Sequence, residues 1–166
     1  MKGFVQIYTG NGKGKTTAAI GLAIRAAGAG LKVFIAQFLK RGNYSEIKTL
    51  HKFSDLISVK QYGLGRFIKG EPTQNEVDAA QAGVERIELA LRSGEYDLVI
   101  IEEGNVATAC GLIDVKRLLD LIAAKPSEME LVITGRGAAP AIMEAADLVT
   151  EMIEIKHYYQ KGVTAR

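Results

Sequence analysis

Residues 9–17 read Thr-Gly-Asn-Gly-Lys-Gly-Lys-Thr-Thr, a spacing suited to gripping a triphosphate. Glycines at 10, 12 and 14 let backbone N–H groups converge on one anion, and a helix opening at Lys15 adds its positive dipole end. In a phosphate-binding P-loop the lysine, here Lys15, reaches the phosphates, and the hydroxyl of the next residue, Thr16, ligates Mg²⁺. The usual spacing, G-x-x-x-x-G-K-[ST], requires a glycine at position 9. Thr9 stands there instead, and the first glycine is Gly10, so the loop is one residue short of that pattern.

Asp97-Leu-Val-Ile-Ile-Glu102-Glu103 is the second chemical signal. Four apolar residues followed by acids describe a strand that carries carboxylates to a sheet edge, where an acid binds Mg²⁺ directly or through water. The same pattern also opens ordinary solvated loops; the P-loop upstream favours the metal role. Thr134-Gly135-Arg136-Gly137 follows another apolar run. Arg136 could reach phosphate or ribose there, or be an exposed residue of a tight turn. Arg25 stays open between a phosphate contact and an exposed helix residue. Two histidines, His51 and His157, are too few for a His-rich metal site. No G-x-S-x-G element or Cys/His pair offers a nucleophile, so any covalent chemistry must come from the substrates. The single Cys110, between Ala109 and Gly111, reads as a small buried residue in a reducing compartment.

These groups need elements to hold them. Apolar runs of strand length at 4–8, 33–38, 57–61, 98–101, 131–134 and 149–155 alternate with helical periodicity at 15–27, 45–53, 74–93, 115–124 and 140–145. That alternation predicts a parallel α/β sheet, and the nearly continuous Val, Ile and Leu of several runs predicts strands covered on both faces. Thr73 with Glu76 three residues on forms a capping box at the third helix. Residues 62–71, with Gly63, Gly65 and Gly70 beside Arg66, Phe67 and Lys69, read either as a surface connection or as a substrate-binding lid. At 166 residues, with no repeat or linker, 1–166 is expected to be one domain. A net charge of +2 with both signs interspersed argues against a nucleic-acid surface. No apolar stretch approaches the ~20 residues of a membrane span. With no basic-then-apolar leader, the expected location is the cytoplasm.

The ordered blocks resemble one family over nearly the whole chain. They are the P-loop with Thr17-Ala-Ala, Gln37-Phe38-Leu39-Lys40, the acid pair with Asn105, Thr134-Gly-Arg-Gly, Ala145-Ala-Asp-Leu-Val-Thr-Glu151, and Lys156-His157 with Gly162-Val-x-Ala-Arg166. In this order and spacing the chain is similar to the P-loop-type ATP:corrinoid adenosyltransferases of vitamin B12 biosynthesis and salvage. The resemblance implies a three-layer RecA-like P-loop fold, α/β with a mostly parallel central sheet, usually as a homodimer. It implies transfer of the 5′-deoxyadenosyl group of ATP to the cobalt of a reduced Co(I) corrinoid, with release of triphosphate. The family binds ATP in reverse, which accounts for the shortened loop. Carried over, Gly10, Asn11, Gly12, Lys13, Gly14, Lys15, Thr16 and Thr17 surround the triphosphate, and Thr16 and Glu103 hold Mg²⁺. Arg25 touches phosphate and Arg136 positions the nucleotide, so that Lys15, Thr16, Glu103 and Arg136 form the catalytic set. An electron-donor protein such as a flavodoxin is the implied source of reduced corrinoid. The acid pair here is Glu102-Glu103 where the family commonly has Asp-Glu. After Gly65 come Arg66-Phe67-Ile68 with no Trp, leaving Phe67 as the aromatic wall against the corrin. Competing readings are a P-loop ATPase or small-molecule kinase that cleaves a terminal phosphate, a RecA-like nucleic-acid module, and a corrinoid carrier without turnover.

Overall fold

A computed structural model describes residues 2–65, 68 and 70–163. Strands β1 (Val5–Thr9), β2 (Val33–Phe38), β3 (Ile57–Tyr62), β4 (Leu98–Glu102), β5 (Glu130–Thr134) and β6 (Leu148–Glu151) form one sheet. The order is β3-β2-β4-β5-β1-β6, and every neighbouring pair is parallel. Parallel neighbours cannot be joined by tight turns, so helices carry the crossovers. Helices α1 (Lys15–Gly28) and α2 (Ser45–Leu50) cover one face, burying Ala19, Ala23, Ile35, Ile100 and Val132 between them and the sheet. Helices α3 (Gln74–Ser93), α4 (Gly104–Ala109), α5 (Val115–Ala124) and α6 (Pro140–Glu144) cover the other, over Ile7, Phe34, Ile101 and Ile133. Every residue of β2 and β4 is buried, as strands roofed on both sides must be. This is the three-layer α/β architecture of the RecA-like P-loop type.

Local chemistry sets the helix ends. The Glu76 carboxylate accepts from the Thr73 N–H and hydroxyl, both at 2.8 Å, closing the expected capping box. Gly94, left-handed at φ 69°, ends the same helix, and Asp114 caps α5 by accepting from the Lys116 N–H at 2.7 Å.

Three features differ from the sequence reading. The run at 45–53 is α-helical only to Leu50 and finishes as a 3₁₀ turn at His51–Phe53. Helix α4 is not anticipated: its six residues begin with Gly-Asn, and its N-cap, Glu103, lies in the left-handed region at φ 59°. Strand β6 stops at Glu151 rather than continuing to 155, because its ladder partner β1 ends at Thr9. Beyond that point the Met152 N–H donates to Thr9 O at 2.9 Å and the Gly12 N–H donates to Met152 O at 2.6 Å. The chain thus leaves the sheet to follow the phosphate loop.

Candidate functional site

The carboxyl ends of parallel strands open on one rim, where α/β proteins place their ligands. Here β1 delivers the loop of residues 10–14. Gly10 and Gly14 sit at φ 90° and 122°, where a side chain would strain the backbone. Gly12 is required for space instead. A Cβ there would lie 2.7 Å from Met152 O and 2.9 Å from Ile153 O. The segment after β6 therefore forms one wall of the loop, and its close packing has no counterpart in the loop's own sequence pattern.

The Lys15 ammonium folds across the loop, donating to Gly10 O at 2.6 Å and Gly12 O at 2.7 Å. Thr16, one residue on, points to β4. Its hydroxyl donates to Glu102 Oε1 at 2.5 Å. Strand β5 lies between β1 and β4, so the acids are not on the strand next to the loop. Helix α1 makes the connection by packing over both β5 and β4. The same Glu102 oxygen accepts from Lys40 Nζ at 2.9 Å; Lys40 also lies 3.4 Å from Thr16 Oγ1 and 3.9 Å from Glu103 Oε1. Glu102 is only 1% exposed, and its Oε2 has no hydrogen-bond partner.

Charge and burial pull these groups in opposite directions. Burial pushes the Lys15 pKa down, helped by the nearby Arg136 charge and resisted by Glu103. Burial would also lower Lys40, but Glu102, through its charge and hydrogen bond, with Glu103 and Glu46, outweighs it and leaves the pKa raised. Glu103 is raised by burial and by the adjacent Glu102 charge, against Lys40, Lys15 and Arg136.

A magnesium ion fits this chemistry. A buried carboxylate oxygen without a partner is costly, and Mg²⁺ prefers oxygen donors, taking one or two from protein and the rest from phosphates and water. Among the described residues no three His, Cys, Asp or Glu side chains cluster to hold a metal on their own. Thr16 and Glu102 therefore suit an ion that arrives with a triphosphate.

The other expected site residues are more dispersed. Asn11, Lys13 and Thr17 are exposed around the loop, with Lys13 Nζ donating to the Tyr158 hydroxyl at 2.6 Å. Arg136 is exposed just past β5, close enough for its charge to act on Lys15 and Glu103. Arg25 is exposed on the last turn of α1, about 15 Å along the helix axis from Lys15, and its charge bears on Tyr8. Phe67 and Arg166 lie outside the described residues. Asn105 is fully buried, and its Nδ2 donates to Gly135 O at 3.2 Å, tying α4 to the turn that carries Arg136.

Glu102 and Lys40 are the two residues to which sequence reasoning gave no role. The sequence pattern does not tell Glu102 from Glu103; the end of the strand leaves Glu102 as the last ladder residue, against Thr16 of α1, and Glu103 as the N-cap of α4. Lys40 directly follows an apolar strand. The signal exists only once β2 is known to lie beside β4, with Gln37 in register with Glu102.

The sequence model of the family described as "ATP:corrinoid adenosyltransferase BtuR/CobO/CobP" matches residues 1–166. A corrinoid adenosyltransferase of Pseudomonas aeruginosa is 34% identical over 166 residues, spanning 99% of this chain and 82% of that protein. The corrinoid adenosyltransferase CobA of Salmonella typhimurium is 32% identical over 169 residues, spanning 99% of this chain and 84% of that protein. A corrinoid adenosyltransferase of Escherichia coli K12 is 29% identical over 165 residues, with the same shares.

Proposed function

The chain belongs to the family of ATP:corrinoid adenosyltransferases, and from that premise we propose how its residues carry the reaction. The enzyme transfers the adenosyl group of ATP to a corrinoid substrate, a step of cobalamin synthesis. In the form the family implies, Co(I) of the reduced corrinoid attacks C5′ of the ribose. The cobalt–carbon bond forms as the C5′–O bond breaks, and triphosphate departs with the electron pair. The full-length family match carries this reading, and the character of the rim supports it. Lys15, Thr16, Lys40 and Arg136 are groups that hold phosphate, not groups that abstract protons from a nucleophile, and Co(I) needs no such base.

Lys15 and the loop N–H groups other than that of Gly12, which donates to Met152 O, grip the triphosphate and hold the ribose so that C5′ faces the corrinoid. Lys15 can leave the loop carbonyls for phosphate oxygens without moving the backbone. Thr16 and Glu102, with Glu103 behind them, would hold Mg²⁺. When bound, that ion supplies positive charge against the charge gathering on the leaving triphosphate. Arg136 steadies the nucleotide from the β5 side, and Asn11, Lys13 and Thr17 flank the phosphates. Phe67 walls the corrin, and Arg25 contacts phosphate only if the nucleotide extends along α1.

The protein works as a homodimer in the cytoplasm. Leu148 and Val149 on the edge strand β6, and Ile153 and Ile155 beyond it, are exposed apolar residues that favour self-association. Among the described residues no helix is long and apolar enough to cross a membrane. A reducing compartment suits Co(I), which an electron-donor protein such as a flavodoxin would supply.

Incubation with ATP, Mg²⁺ and chemically reduced cobalamin tests the reaction. Adenosylcobalamin and triphosphate in equal amounts are expected; ADP with phosphate would instead identify a kinase or ATPase.

A further inference from the structure

Strand β2 leaves the sheet through an unusual turn. Leu39 lies at φ 63°, and the Lys40 N–H donates to Phe38 O at 2.7 Å, making a γ-turn centred on a leucine. A bulky residue in that region is strained, and such strain persists only where its surroundings enforce it. Gly63, just past β3, provides the enforcement. A Cβ at position 63 would fall 2.2 Å from Leu39 C and 2.5 Å from Lys40 N, so backbone packs directly on backbone.

The turn places the Lys40 ammonium over β4, against Glu102 Oε1 and within reach of Glu103 Oε1 and Thr16 Oγ1. A buried ion pair is a poor route to stability, since desolvating both charges offsets most of their attraction. A strained turn that creates such a pair is better explained by what the pair holds in place. Glu102 is also the residue whose other oxygen is buried and unpartnered.

We propose that Lys40 is a positioning residue that stands in for the metal ion. In the nucleotide-free protein its ammonium keeps Glu102 aligned with Thr16. When Mg²⁺ arrives with ATP, the carboxylate passes to the metal and the ammonium passes to the incoming triphosphate. The exchange follows from charge. An ammonium and a divalent cation held by one carboxylate repel each other strongly, whereas triphosphate offers the displaced ammonium a new anion at the same rim. Lys40 thus prevents the empty site from taking up divalent ions without nucleotide. This inference rests on Thr16 and Glu102 being the metal site.

The test is Mn²⁺ binding without nucleotide, followed by the loss of the free-ion electron paramagnetic resonance signal at pH 8. Lys40→Met removes the competing charge while keeping the stem, and should bind Mn²⁺ about 10-fold more tightly than the parent. Lys40→Arg keeps the charge and should stay near the parent value. A merely structural lysine would leave the affinity of Lys40→Met unchanged or lower, and either result overturns the proposal. Should Lys40→Met fail to fold by circular dichroism, Lys40→Gln serves as the neutral variant, and a 10-fold gain in Lys40→Arg overturns the proposal by itself. Glu102→Gln in both backgrounds separates the two levels. If it abolishes Mn²⁺ binding while Lys40→Met has no effect, Lys40 alone is misassigned. If it binds as the parent does, the metal site itself is wrong and the proposal falls with it.

Discussion

Glu103 occupies an uncomfortable position, in the left-handed region beside a second carboxylate and largely out of water. Burial first, and Glu102 second, raise its pKa above the ordinary carboxylate value. The folded protein therefore holds this proton more tightly than the unfolded chain does. The resulting stability is fully present below the unfolded pKa and is lost as pH rises through the folded one. Glu103→Gln removes that loss. The nucleotide-free variant should melt higher than the parent at pH 8, and the gain should shrink toward pH 5, the direction in which the parent's Glu103 regains its proton. Melting curves at the two pH values check this; a gain that does not change with pH would overturn it. The same residue shows how far sequence reading reaches at this scale. Lys15, Thr16 and the acid pair were identifiable because a P-loop fixes their order along the chain. Which acid meets Thr16 was not, because that depends on where β4 ends and how α1 crosses it. Lys40 has no meaning in the sequence beyond its block, since its partner lies on a neighbouring strand more than sixty residues away.

Elements were legible where burial on both faces writes itself into composition. Strand β2 is apolar but for Gln37, β4 is apolar up to its last residue, Glu102, and α3 carries its own cap. Tertiary packing decided the rest. Helix α4 opens with Gly-Asn because a Cβ at Gly104 would sit 2.7 Å from the Ile101 side chain, which no helical periodicity announces. The end of β6 is set by the end of β1, and its apolar continuation at Ile153 and Ile155 resembles strand in sequence while remaining open to solvent. The contact between that segment and the phosphate loop yields a test. Gly12→Ala places a methyl group against the Met152 and Ile153 carbonyls. It should cost about 1–3 kcal/mol, which is roughly 2–4 °C in melting temperature per kcal/mol for a chain of this size. It should also raise the KM for ATP. Gly28→Ala is the comparison, because nothing lies within 4 Å of an added Cβ there; it should be neutral or slightly stabilising. Equal melting temperatures for the two variants would mean that the segment does not brace the loop.

At the scale of the molecule, the exposed apolar residues on and beyond β6 bear on assembly. Ile153 and Ile155 are 72% and 96% exposed. If they lie in a dimer interface, Ile153→Asp with Ile155→Asp should shift sedimentation equilibrium from dimer to monomer while leaving the circular dichroism spectrum unchanged. An unaltered dimer would place the interface elsewhere. The strand order has a consequence of a different kind. β1 is made first, yet its partners β5 and β6 are the last two strands made. Strands β2, β3 and β4 are consecutive in the chain and form one contiguous block of the sheet, so they can assemble early. The phosphate loop, by contrast, waits beside an unpaired strand until β5, which ends at Thr134, has been synthesised, on the order of ten seconds at common rates of elongation. Throughout that interval the nascent chain carries the complete loop sequence but has no sheet to hold it. ATP can therefore stabilise only a chain in which β5 has already been made.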